Sequence, residues 1–167
     1  MYITATVKGY SMSPTLKDGD ALLTDTRYKP CRGDIAVLKI PKKYRKTPDD
    51  KYVVKRIVAV GGDSVFSRGG VLYVNSKPAH YPSAGKTDGI NQCTVPKNHV
   101  YVLGDNREHS LDSRVLGCIP YRNIRGKILK KLDKSCLKVN SNGYTPKSLK
   151  QSFRTVKSEI YSKWGLK

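Results

Sequence analysis

The chain has 167 residues, 38% of them hydrophobic, which suits one domain with a buried core and is too little for two full domains. Its formal net charge is +19, from 32 basic and 13 acidic side chains. Such a field attracts anionic lipid, nucleic acid or acidic protein without choosing among them, and it equally suits a solvated basic surface. Charges interrupt every apolar run within a few residues, so no membrane span is visible, and Met1 to Lys8 lacks the basic start and apolar stretch of a secretory leader.

In chain order, Gly9 to Leu16 reads as a tightly shaped turn around Ser11. Ala21 to Thr24, Asp34 to Ile40 and Tyr52 to Val60 are apolar, β-branched runs that predict strands, as do Val71 to Val74, His99 to Leu103 and Gly126 to Leu132. Turn signals separate them at Lys17-Asp18-Gly19-Asp20, Gly61-Gly62-Asp63, Arg68-Gly69-Gly70 and Asp88-Gly89. This regular spacing predicts a mainly all-β fold of coiled antiparallel sheets, barrel-like, over residues 1–132. Lys42 to Asp50 reads as a solvated hairpin tip, and Pro82 to Gln92 as a polar loop. Residues 133–144 are polar and read as a linker. Thr145-Pro146 then supplies an N-cap and a first-turn proline. Leu149, Phe153, Val156, Ile160 and Trp164 recur at helical spacing among lysines, which predicts a basic amphipathic helix over 145–167. Cys31, Cys93, Cys118 and Cys136 form no C-x-x-C pair and have no histidine at zinc-ligand spacing. No metal or other cofactor is expected. The four read as scattered buried thiols, with disulfide pairing left open.

Three segments carry chemistry. A serine beside a glycine and shortly before a proline, as in Gly9-Tyr10-Ser11-Met12-Ser13-Pro14-Thr15-Leu16, can expose its hydroxyl and aim its own N–H at a substrate carbonyl. Most serines in such turns only make local hydrogen bonds. In Tyr52 to Asp63 a Lys55-Arg56 pair interrupts an apolar strand. Alternation sends the two side chains to opposite faces, so one of them must point to the side shared with Val53 and Ile57. A lysine desolvated there would have a lowered pKa and could take a proton from a hydroxyl. The competing reading is an edge strand with both charges in water. Gly104 to Arg114 is densely polar directly after an apolar strand. Asp112 and Arg114 can pair and Ser110 can hydrogen-bond, which suits a support for a neighbouring site as well as an ordinary Asx-rich turn.

Together, Gly9-x-Ser11-Met12-x-Pro14-Thr15-Leu16, Lys55-Arg56 with Gly61-Gly62-Asp63, and Gly104-Asp105-Asn106-Arg107 with Ser110-x-Asp112-Ser113-Arg114 resemble bacterial type I signal peptidases. They keep that family's order and comparable spacing. Arg32-Gly33-Asp34-Ile35-Ala36-Val37 adds to the likeness, which covers Val7 to about Leu132. The resemblance implies a membrane-linked serine endopeptidase that removes signal peptides from exported preproteins, with small residues preferred at the first and third positions before the cut. It implies Ser11 as nucleophile and Lys55 as general base. Ser110 would orient the Lys55 amine, Asp112 and Arg114 would form a supporting ion pair, and Arg56 would be structural. The Ser11 N–H would be one oxyanion donor. Where some members place a serine as the second donor, this chain has Gly9. Typical members carry a transmembrane anchor just ahead of the serine motif, and here ten residues precede Ser11. The expected location is therefore membrane-associated with an extracytoplasmic catalytic domain and no anchor in this chain. The C-terminal helix would lie on anionic lipid or else pack on the β domain.

Three rivals stand beside this reading. A Ser-His-Asp triad would draw on His80, His99 or His109, of which only His109 lies in the polar loop. A self-cleaving repressor-type Ser-Lys protease would need a cleavable segment before the serine. A non-catalytic basic β-barrel could bind nucleic acid, but no strand carries an aromatic-and-basic RNA signature, so a nucleic-acid partner is not expected. The sequence does not address oligomeric state.

Overall fold

Short β-branched runs separated by Gly-Asp turns fold into eleven strands among the residues described by the computed structural model, which are 1–132 without 46 and 49. They are β1 (Tyr2–Thr6), β2 (Ala21–Asp25), β3 (Ile35–Lys39), β4 (Tyr52–Val60), β5 (Ser64–Arg68), β6 (Val71–Val74), β7 (Lys77–Pro78), β8 (Cys93–Thr94), β9 (His99–Leu103), β10 (Ile119–Pro120) and β11 (Ile124–Leu132). One single-turn helix, α1 (Ser113–Leu116), lies between β9 and β10. Residues 1–131 form one compact unit. The linker expected at 133–144 and the helix expected at 145–167 lie outside the described residues.

Seven strands make one sheet in the order β1-β2-β11-β3-β4-β9-β10, and four make a second in the order β7-β6-β5-β8. The pairs β1–β2, β3–β4, β4–β9, β9–β10 and β11–β3 are antiparallel, as are all pairs of the smaller sheet. The fold is thus mainly β, as the spacing of runs and turns predicts. The six expected strands all form, with ends displaced by at most two residues. β1, β5 and the two-residue strands β7, β8 and β10 were not expected.

The apolar faces explain the arrangement. Val58, Ala59, Val65, Leu72, Tyr101 and Leu103 gather where the two sheets meet. Ala36, Leu38, Ile57, Val100 and Val102 form a second cluster on β3, β4 and β9. A third, of Val7, Met12, Leu16 and Leu22, lies beneath the serine turn. Burial of such side chains stabilises by roughly 1.5–3 kcal/mol each. At the β5–β6 turn, Gly69 and Gly70 both have positive φ (59° and 81°), the backbone of a tight hairpin that matches strand twist. Phe66 and Tyr73 stack across that hairpin at 4.8 Å.

β4 is central in its sheet, flanked by β3 and β9, so the edge-strand alternative for Lys55-Arg56 fails. Both faces of β4 are covered at this point: Lys55 is 2% exposed and Arg56 8%. β1 is the opposite case. Among the described residues it pairs only with β2, and its other edge has no strand partner there.

Candidate active site

The serine turn is anchored from below by Met12 and Leu16, both buried, and closed by the Leu16 N–H donating to the Met12 carbonyl at 2.9 Å. It is gripped from the side by the segment after β9. The Asn106 N–H donates to the Ser11 carbonyl at 3.1 Å, and Asn106 Nδ2 donates to the Tyr10 carbonyl at 3.3 Å. Gly104 permits this approach: a Cβ there would sit 2.5 Å from the Ser11 carbonyl oxygen and collide with Ser110 Oγ.

The Ser11 side chain meets one base. Lys55 Nζ lies 2.7 Å from Ser11 Oγ and donates to the Val54 carbonyl at 2.9 Å. Burial pulls the Lys55 pKa down from 10.5 to about 8, and the nearby carboxylates of Asp112 and Asp105 offset only part of that. An amine in this range has a substantial neutral fraction near pH 8, and its lone pair can then accept the Ser11 hydroxyl proton. No histidine takes this place. His80 and His109 are exposed and His99 Nδ1 pairs with the Lys97 carbonyl, so among the described residues no histidine hydrogen-bonds Ser11.

Two buried carboxylates brace the site. Asp112 is fully buried and receives Arg114 in bidentate fashion, Nε to Oδ1 at 2.9 Å and Nη2 to Oδ2 at 3.0 Å. It also accepts the Gly104 N–H at 3.0 Å and the Arg114 N–H at 3.2 Å, the second capping α1. Arg114 Nη2 reaches the Arg107 carbonyl at 2.6 Å. The expected Asp112–Arg114 pair is therefore formed, and it fixes both ends of the polar segment.

The second carboxylate, Asp105, was not singled out from the sequence. It is also fully buried and binds Arg56 in the same two-pronged manner, at 2.8 and 2.7 Å. Arg56 Nη1 donates to the Gly33 carbonyl at 2.9 Å, and Thr15 Oγ1 donates to Asp105. One carboxylate thus ties β4, the serine turn and the segment after β9 together. A further bidentate pair, Arg32 on Asp63, joins the Arg32-Gly33-Asp34 segment to the Gly61-Gly62-Asp63 turn.

Ser110 departs from expectation. Its hydroxyl is buried beside the serine turn and, among the described residues, makes no hydrogen bond to Lys55 or to any other group. Among the described residues the Ser11 N–H also donates no hydrogen bond, whereas the Gly9 N–H is committed to Asp18 Oδ1 at 2.7 Å. Gly9 has φ +80°, which a serine would adopt only with strain.

A cleft of about 400 Å³ opens in front of the dyad. Ala5 to Lys8 form one wall, Tyr52 to Lys55 another, and Ser11, Met12, Val37, Ile40 and Leu111 the rest. Tyr44 and Asp50 reach its rim, so the Lys42 to Asp50 hairpin is more than a solvated tip. Among the described residues no cluster of His, Cys, Asp or Glu could hold a metal ion, and no helix is long and apolar enough to cross a membrane.

The combination of a serine, a buried lysine and a cleft bounded on one side by an edge strand is a hydrolase-type site on a β scaffold. Residues 1–131 match the family described as signal peptidase, peptidase S26. The chain belongs to this family and is a peptidase. It is 38% identical over 126 residues to the mitochondrial ATP-independent inner membrane protease subunit 1b of Arabidopsis thaliana, covering 72% of this chain and 64% of that relative. It is 34% identical over 148 residues to signal peptidase I V of Bacillus subtilis, covering 77% of this chain and 84% of that one. A crystal structure of a signal peptidase I from Enterococcus faecalis superposes with a TM-score of 0.47 at 25% identity, over 62% of this chain and 98% of the other. The chain thus spans just under two thirds of the plant relative and most of the bacillar one.

Proposed function

We propose that this chain is a serine endopeptidase that removes signal peptides from exported preproteins, with Ser11 as nucleophile and Lys55 as general base. The observation that carries the reading is the 2.7 Å contact between Ser11 Oγ and a lysine amine that is 2% exposed. Neutral Lys55 takes the hydroxyl proton as Ser11 Oγ attacks the scissile carbonyl. The unengaged Ser11 N–H would receive the developing oxyanion, a role in which one donor contributes roughly 3–4 kcal/mol. Protonated Lys55 then gives its proton to the leaving amine. Water, deprotonated by Lys55, hydrolyses the acyl ester and frees Ser11. Every proton passes through one amine, so the cycle closes without a cofactor.

The preprotein segment would lie extended in the cleft, between the Ala5 to Lys8 wall and the Tyr52 to Lys55 wall. Extended backbone suits an open strand edge, which offers main-chain partners at regular spacing. Arg56–Asp105 and Asp112–Arg114 would hold the dyad in register. Ser110 is proposed as a positioning residue for the Lys55 amine, on the ground that its buried hydroxyl lies beside the serine turn with no partner among the described residues. The enzyme would work at an anionic membrane surface with its catalytic domain extracytoplasmic, drawn there by its basic charge.

The test is cleavage of a preprotein in detergent or lipid by the wild type and by Ser11→Ala. Loss of roughly 10³-fold or more in rate, with an unchanged melting curve, is expected. A folded Ser11→Ala protein that cleaves at the wild-type rate would overturn the assignment.

A further inference from the structure

A hollow of about 130 Å³ lies apart from the cleft and shares none of its lining residues. Much of its wall is polar, with His80, Ser83, Thr87 and Arg107 among the lining side chains. Arg107 is the unusual member. It is 4% exposed, and Thr87 beside it 3%. Its Nε donates to the Gly104 carbonyl at 3.0 Å and its Nη1 to Thr87 Oγ1, while among the described residues Nη2 donates no hydrogen bond.

Among the described residues this buried guanidinium forms no ion pair. Both buried carboxylates of its own segment are taken by other arginines, Asp105 by Arg56 and Asp112 by Arg114. Glu108, next in the chain, is exposed and packs against Gly85 instead. Burial pushes the Arg107 pKa down, yet a guanidinium keeps its proton in any case. The fold therefore holds a desolvated positive charge without a counter-ion, at the wall of a polar hollow. Buried charges normally have a partner.

We propose that this hollow binds a phosphate-type oxyanion, with Arg107 supplying the charge and Thr87 and Ser83 supplying hydroxyl donors. Thr87 Oγ1 accepts from Arg107, so its own hydrogen is left for a ligand. The planar guanidinium fork matches two oxygens of one anion, which a halide does not offer. The Lys86 stem packs on Gly70, another lining residue, and adds a cation nearby. The +19 field of the chain concentrates anions at its surface.

Arg107 also links the hollow to the serine turn. The Gly104 carbonyl that it holds belongs to the segment whose Asn106 N–H grips the Ser11 carbonyl. The Arg107 carbonyl accepts Arg114 Nη2 at 2.6 Å, and Arg114 is bound to Asp112. An anion on Arg107 would neutralise the unpaired charge of that segment and stabilise it. This holds whichever peptide the site cleaves.

The experiment titrates sodium phosphate into the full chain by calorimetry, in a phosphate-free buffer of fixed ionic strength. Phosphate should bind saturably at one site per chain, and the melting temperature should rise by about 4 °C at ten times the dissociation constant. Sodium chloride titrated in the same way should give no saturable heat. Arg107→Gln should abolish the binding. Because that change also removes the bond to Gly104, the exposed Ser83 is tested beside it. Ser83→Asp sets a carboxylate at the hollow and should weaken phosphate by about tenfold or more, while Ser83→Ala weakens it less. Glycerol 3-phosphate separates the sources of the group: affinity equal to that of phosphate supports a tethered phosphate such as a lipid headgroup, and weaker affinity supports the free ion. Phosphate heats that never saturate, or unchanged affinity in Ser83→Asp, would overturn the site. Saturable chloride binding of equal affinity would overturn the oxyanion assignment.

Discussion

Replacing Lys55 with Met should make the protein more stable near neutral pH while abolishing its activity. The magnitude follows from the buried amine. In the unfolded chain the lysine titrates near 10.5, and in the fold burial lowers this to about 8. Between those values the unfolded state holds a proton that the folded state does not. Stability therefore rises with pH across that window, and below pH 8 the folded protein bears the full cost of a charged amine. At about 1.36 kcal/mol per pH unit, that cost is about 3 kcal/mol. Met has similar length and no charge, so the variant escapes it, less about 1–2 kcal/mol for the lost contacts to Ser11 Oγ and the Val54 carbonyl. The decisive quantity is the difference between the two proteins, since other titrating groups cancel. Urea unfolding of both from pH 7 to pH 10.5 should show wild type gaining about 3 kcal/mol relative to Lys55→Met. A difference that stays flat across this range would refute the claim that Lys55 is desolvated.

Gly104→Ala should lower cleavage by at least about tenfold, because its Cβ must displace either Ser110 or the Ser11 carbonyl, 2.5 Å away; normal kinetics in this variant would mean that the serine turn tolerates the shift. Asp105→Ala should cost about 3–5 kcal/mol in denaturant unfolding, since it strands a buried Arg56 guanidinium. The double replacement Arg56→Met with Asp105→Leu should recover most of that loss, and equal losses in both would show that packing rather than charge is at stake.

The parts of the site that the sequence revealed were those that break a local pattern. Lys55-Arg56 stands out because two cations interrupt nine residues of otherwise apolar strand, and Asp112–Arg114 because the partners are two residues apart. Asp105 gave no such signal. Its partner Arg56 is 49 positions away, in a chain with 32 cations to choose from, and only the β4–β9 register brings them together. β1 was missed because Tyr2–Thr6 is short and half exposed, and its pairing with β2 is set by tertiary contacts. β5 was missed because Ser and Arg dilute its two apolar residues, although the Gly69-Gly70 hairpin turn marks where it ends. The Lys42 to Asp50 segment reads as solvent-facing by composition, yet the fold carries Tyr44 and Asp50 to the cleft rim. Ser110 was expected on the lysine and instead keeps its hydroxyl unpaired beside Gly104.

The central claim is that a neutral Lys55 amine deprotonates Ser11. The most direct measurement is the pH dependence of kcat/KM for a peptide substrate, with acylation shown to limit the rate, because this parameter reports ionisation of the free enzyme. The rate should fall about tenfold per pH unit in acid and level off above an apparent pKa of about 8, the value to which burial brings Lys55. Lys55→Arg, whose guanidinium stays protonated, should be inactive throughout. A flat profile from pH 6 to 10, or measurable cleavage by Lys55→Arg, would contradict the account.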